Sequence, residues 1–150
     1  MHDTSSKGAP SQAGAVTTAR VVDGRGLVTL LRVVAAIACL ETLVQGLLAG
    51  MLLNGDVDSI DPHGANAYIF ELVVLLQVVA AVLLWRRNRW LTWPLKATIG
   101  ILLFTFTQTF LGLESSLAAH VTLGVALCGM EMGLVMRAFM LRTQDTATPA

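Results

Sequence analysis

Charged residues are scarce in this sequence. They make up 13% of its 150 residues, about half of the roughly 25% that soluble domains carry. The ten basic and ten acidic side chains cancel, so no overall positive charge is present to attract nucleic acid. Two cysteines are too few for a disulfide framework, and the sequence contains neither a glycine-rich phosphate loop nor a serine nucleophile elbow. A chain with so few charges has too little polar surface to face water on all sides.

Hydrophobic residues, by contrast, make up 55% of the chain and are concentrated in four stretches. A hydrocarbon core about 30 Å thick needs about 20 helical residues at 1.5 Å each. The predicted membrane spans are residues 33–53, 65–85, 97–113 and 117–136. They lie in one domain, residues 27–141, between polar tails at 1–26 and 142–150 that we expect to be disordered.

The links between the spans predict how the spans are arranged. Because short links make neighbouring helices antiparallel, we expect an all-α integral membrane protein, an up-and-down four-helix bundle. The basic residues lie in the tails, at the ends of the first and last spans, and in the middle link, whereas the links around Asp58 and Glu114 contain none. Since Lys and Arg are retained in the cytoplasm, this predicts a multi-pass protein of the plasma (inner) membrane with both termini cytoplasmic.

Two histidines are the most informative polar residues. His63 precedes the second span and His120 begins the fourth, so the predicted topology places both near the outer face. The second and fourth helices of a square bundle are diagonal, with axes about 14 Å apart when neighbours are about 10 Å apart. That distance leaves room for two imidazoles with a metal between them. Alternatively, His63 caps or extends toward the headgroups, and His120 makes a hydrogen bond to a neighbouring helix.

Small residues lie one helical turn from each histidine. Ala67 follows His63 by four residues and Gly124 follows His120 by four, so each lies on the same helix face as its histidine. A flat macrocycle lying against a helix needs such a gap. A ligating imidazole also needs a hydrogen-bond partner for its other nitrogen, and we expect an acidic residue of the outer links, Asp61 or Glu114, to provide it.

Three carboxylates occur within the spans, and such groups are costly in lipid. They are Glu41, Glu71 and Glu131. In a functional role, they form a route for proton transfer or anchor a small molecule. In a structural role, they are permanently protonated and hydrogen-bonded across the bundle. The second interpretation is favoured.

With these residues in place, a family resemblance becomes visible. His63 opening one span after an outer link, and the segment SSLAAHVTLGVALCG around His120 opening another, resemble one four-helix half of the haem A synthase family and, more loosely, membrane b-type cytochromes. The resemblance implies that His63 and His120 are paired ligands of haem b. It does not extend to the synthase reaction, because the outer links contain no cysteine and have Asp61 where that family has glutamate.

The leading hypothesis is therefore a membrane protein that binds haem through two histidines and acts in electron transfer or haem handling. The alternatives are a non-catalytic four-span protein associated with a larger complex, and a small proton-coupled transporter that uses Glu41 or Glu131. The expected partners are the lipid bilayer and either another membrane protein or a second copy of the chain, with no nucleic acid. Whether the protein is an enzyme is left open; if so, it would be an oxidoreductase.

Overall fold

The computed structural model describes residues 21–143, which form four long α helices. Helix α1 covers Arg25–Leu53, α2 Ile60–Arg87, α3 Trp93–Leu113 and α4 Leu117–Phe139, and a three-residue 3-10 helix, Val57–Ser59, precedes α2. Each predicted span lies inside one of these helices. The first three helices begin four to eight residues before the corresponding predicted spans, because a helix continues through the polar boundary where hydropathy no longer indicates it.

The helices form a ring in chain order. Helix α1 packs against α2 and α4, and α3 packs against the same two. Consecutive helices are joined by short links, so they run antiparallel. Helices α2 and α4 are therefore diagonal and begin at the same end of the bundle.

The two ends of the bundle differ in charge. One end contains the start of α1, the end of α2, the start of α3 and the end of α4, and all eight described Lys and Arg residues lie on or beside these segments. They are Arg25, Arg32, Arg86, Arg87, Arg89, Lys96, Arg137 and Arg142. We call this the basic end. Two of its cations lie over indole rings, Arg89 on Trp85 at 4.3 Å and Arg137 on Trp93 at 4.4 Å.

Residues 21–24 also belong to the basic end, although the sequence predicted a disordered tail through residue 26. Val22 is buried and donates to the carbonyl of Arg142. The Asn88 side chain accepts a hydrogen bond from the Asp23 amide and donates one to the Asp23 carbonyl. The chain is ordered here because buried contacts satisfy its backbone groups. Residues 1–20 and 144–150 of the predicted tails lie outside the described residues.

The outer surface of the bundle is apolar. Large hydrophobic side chains at mid-helix positions are more than half exposed, for example Leu47 (65%), Leu103 (61%) and Val125 (70%). All four helices are long and apolar enough to cross a membrane. The buried core consists of small and branched side chains, among them Ala35, Ala38 and Val74. This pattern is typical of helices that face lipid and approach one another closely.

Candidate functional site

His63 and His120 come together at the end of the bundle opposite the basic end. Each is the fourth residue of its helix, α2 or α4. Because the two helices start at the same end on diagonal corners, their first turns direct residues toward a common interior. The ring centroids are 6.1 Å apart with 61° between the ring planes, and both side chains are half-buried.

This separation fits a metal ion between the rings. A metal–imidazole bond is about 2 Å long and a ring nitrogen lies about 1 Å from its centroid, so two imidazoles on opposite sides of one metal have centroids about 6 Å apart. The angle between the ring planes is free to vary, because each ring rotates about its own metal–nitrogen bond.

The hydrogen bond of His120 determines which nitrogen is available. Its Nδ1 lies 2.9 Å from the backbone carbonyl oxygen of Gln108. A carbonyl oxygen only accepts, so Nδ1 carries the proton and the lone pair is on Nε2. This is the arrangement that orients a metal-ligating histidine. A carboxylate partner was expected from the sequence, and for His120 that expectation was wrong: the partner is a backbone carbonyl on α3, and Asp61 and Glu114 are exposed.

Gly112 makes room for the His120 ring. A Cβ at this position would lie 3.0 Å from Cε1 and 3.2 Å from Nδ1 of His120, which is closer than van der Waals contact allows. The absence of a side chain at Gly112 therefore permits the ring to reach the carbonyl of Gln108, on the preceding turn of α3.

His63 is held less completely. Its Nδ1 is buried and has no hydrogen bond of good geometry, although the Gln45 backbone lies close enough to interact with the ring. Beside it, Gly64 has open space: nothing lies within 4 Å of where a Cβ would be. A buried ring nitrogen without a hydrogen-bond partner is a feature that a bound group would account for.

The two small residues predicted to clear space differ in their surroundings. Ala67 is half-buried on α2. The space over Gly124 on α4 is filled, because a Cβ there would lie 3.0 Å from Nε2 of Gln108. The Oε1 atom of Gln108 is buried and has no hydrogen-bond partner. A planar group lying against Gly124 would therefore require the Gln108 amide to rotate away. Because Oε1 of Gln108 has no hydrogen-bond partner, this rotation would break no hydrogen bond to that atom.

Polar residues of three helices are hydrogen-bonded in the same half of the bundle as the histidine pair. Asn66 donates to the side chain of Gln45 at 3.1 Å and to the carbonyl of Glu41 at 3.3 Å. Thr109 donates to Glu71 at 2.6 Å. Neither Asn66 nor Thr109 was predicted from the sequence. Asn66 could have been found, since it follows His63 by three residues and so lies on a neighbouring face of the helix.

The third predicted carboxylate lies apart from the pair. Glu131 is eleven residues beyond His120 on α4, about 16 Å along the helix axis. It is fully buried and accepts a hydrogen bond from Gln77 of α2 at 3.3 Å. The histidine pair and the Gln77–Glu131 pair are thus separate from each other.

The described residues contain no group of three or more His, Cys, Asp or Glu side chains placed to hold a metal ion. The protein donors that the histidine pair offers therefore number two. In comparisons with known proteins, no family model, characterised protein or solved structure matches this chain significantly. The resemblance to the haem A synthase family stays a prediction that depends on the residues around His63 and His120.

Proposed function

We propose that this protein is a multi-pass protein of the plasma membrane that binds one b-type haem between His63 and His120, in electron transfer or haem handling. The observation that carries the proposal is the 6.1 Å separation of the two imidazole rings. A porphyrin brings four nitrogen ligands of its own, so haem iron needs only two axial ligands from the protein. The two donors of the histidine pair meet that requirement.

The orientation in the membrane follows from the basic end. Lys and Arg are retained on the cytoplasmic side, so the basic end faces the cytoplasm, both termini are inside, and the histidine pair lies near the outer face. Trp85 and Trp93 lie beside cations at the same end, as indole rings do at a headgroup boundary. Haem at the histidine pair would then be accessible to partners outside the cytoplasm.

The residues of the chain have distinct roles in this proposal. When bound, haem supplies the one-electron chemistry. His120 presents Nε2 because the Gln108 carbonyl holds the proton on Nδ1. Gly64 supplies clearance beside His63, and the Gln108 side chain covers Gly124 until it rotates aside. The apolar walls of the bundle lower the local dielectric and exclude water, which tunes the redox potential.

The visible spectrum of the detergent-purified protein from haem-replete cells tests the proposal. We expect a Soret band and a sharp α-band on reduction, both lost in His63→Ala and in His120→Ala. The matched control is His2→Ala, which removes the one remaining histidine and should leave the spectrum unchanged.

Two results would contradict haem binding at this site. One is a colourless wild-type protein that also shows no new band when haemin is added. The other is a spectrum that survives loss of both His63 and His120. Circular dichroism of each variant separates loss of haem from loss of the helical fold.

A further inference from the structure

Gln77 and Glu131 form an isolated polar pair inside the bundle. Both side chains are 0% exposed, and they come from the diagonal helices α2 and α4. One hydrogen bond joins them, from Nε2 of Gln77 to Oε1 of Glu131 at 3.3 Å. The two remaining oxygens, Oε1 of Gln77 and Oε2 of Glu131, are both buried and have no hydrogen-bond partner.

These two unpartnered oxygens cannot satisfy each other if Glu131 is ionised. Both would then be acceptors, and a carboxylate with a single amide donor would be buried in an apolar bundle, which is costly. If Glu131 carries a proton, Oε2 becomes a donor and Oε1 of Gln77 is its natural acceptor. A carboxylic acid and a carboxamide can make two antiparallel hydrogen bonds in a closed ring, and the bond from Gln77 to Glu131 at 3.3 Å is one of the two. Protonation thus accounts for both unpartnered atoms at once.

Among the described residues, the buried threonine hydroxyls do not supply the missing donor. The hydroxyls of Thr98 and Thr105 on α3 donate to backbone carbonyls of their own helix, and Thr42 on α1 donates to the carbonyl of Cys39.

The titratable groups near Glu131 are thiols. Cys39 on α1 lies within electrostatic reach of both Cys128 and Glu131, and both cysteines are free. Among the described residues, no Lys or Arg lies close enough to Glu131 to interact with its charge.

We propose that Glu131 and Gln77 form a proton-binding site in the half of the bundle nearer the basic end, where Glu131 holds a proton at neutral pH. The site is separate from the histidine pair and does not depend on haem. It assigns to this chain a second ligand, the proton, bound by an acid and amide on diagonal helices. A negative charge is then absent from this part of the bundle interior, and the two helices are joined by a neutral pair of hydrogen bonds.

Infrared spectroscopy of the full-length protein in liposomes tests this site. A protonated carboxylic acid has a carbonyl stretch distinct from the bands of a carboxylate. At neutral pH we expect the wild type to show this acid band and Glu131→Gln to lose the part of the band that comes from Glu131. Gln77→Leu should move the band to higher frequency, because the acid carbonyl loses its amide donor. The matched control is Glu114→Gln, which changes an exposed loop carboxylate and should leave the acid band unchanged.

A second measurement needs no variant and so does not depend on any variant folding. A hydrophobic carbodiimide adds the O–H of a protonated acid across its C=N bond, and the adduct rearranges to a stable N-acylurea with no leaving group. We expect mass spectrometry to find this adduct on Glu131. Labelling of Glu41 or Glu71 in its place, or an unchanged acid band in Glu131→Gln, would overturn the proposal. Either result is independent of the haem spectrum.

Discussion

Arg32 ties helix α1 to the end of α4, and its replacement is a sensitive test of how the basic end is held together. Its Nε donates to the Ala138 carbonyl at 3.1 Å and its Nη2 to the Leu141 carbonyl at 2.7 Å, with a longer contact of 3.4 Å to Phe139. The guanidinium carbon also lies 5.4 Å from the Phe139 ring centroid. The last carbonyls of a helix lack partners within it, and the negative end of the helix dipole favours a cation there.

The expected loss can be estimated from these contacts. A hydrogen bond to a charged group contributes about 1.5 to 3 kcal/mol, and Arg32 makes two of good length. Because Arg32 is only half-buried, water replaces part of what is lost, so we expect Arg32→Ala to lower the free energy of unfolding by about 2 to 3 kcal/mol. Arg32→Lys keeps the charge but not the planar fork of donors, and should lose about half as much.

Equilibrium unfolding in mixed micelles, titrated with a denaturing detergent and followed by tryptophan fluorescence, measures this difference. The matched control is Arg86→Ala, which removes an exposed cation from the last turn of α2 and should change stability by less than about 0.5 kcal/mol. If Arg32→Ala proved no more destabilising than Arg86→Ala, the cap would contribute nothing and the account of the basic end would be wrong.

Two further predictions concern other positions. Gly112→Ala should displace the His120 ring and weaken the haem spectrum, because the new Cβ would lie 3.0 Å from that ring. The control is Gly129→Ala, where nothing lies within 4 Å of the new Cβ; it should leave the spectrum intact and raise the free energy of unfolding by up to about 1 kcal/mol. Equal haem spectra in the two variants would argue against the role of Gly112. Asn88→Ala should release residues 21–24 from the bundle, because it removes both side-chain hydrogen bonds to Asp23. Hydrogen exchange at the Asp23 amide should then become fast, while exchange in the middle of α2 stays slow. Continued protection of the Asp23 amide would show that other contacts hold this segment.

Much of the histidine pair could be predicted from the sequence. Chain order, short links and the position of each histidine at the start of its helix are enough to place His63 and His120 at one end on diagonal helices. The partner of His120 could not be predicted, because any residue that reaches Nδ1 with an acceptor would serve, and a backbone carbonyl has no signature in the sequence. That Gln108 fills the space over Gly124 could not be predicted either, because it depends on the side-chain torsions of Gln108.

The Gln77–Glu131 pair was also beyond the sequence. Both residues could be recognised as polar positions within apolar spans, but nothing along the chain relates residues 54 positions apart. Their meeting depends on the rotation of α2 and α4 about their own axes. A helix that is apolar nearly all round carries no amphipathic stripe from which that rotation could be read.

The sequence by itself determined the number and approximate limits of the helices and the separation of all described cations to one end, since long apolar runs and the placement of Lys and Arg are local properties of the chain. Only the tertiary structure decided which atoms meet inside: the His120 ring with the Gln108 carbonyl, Gln77 with Glu131, and Arg32 with the end of α4. Each of these contacts joins different helices. It depends on helix rotation and side-chain packing, which come from all four helices together.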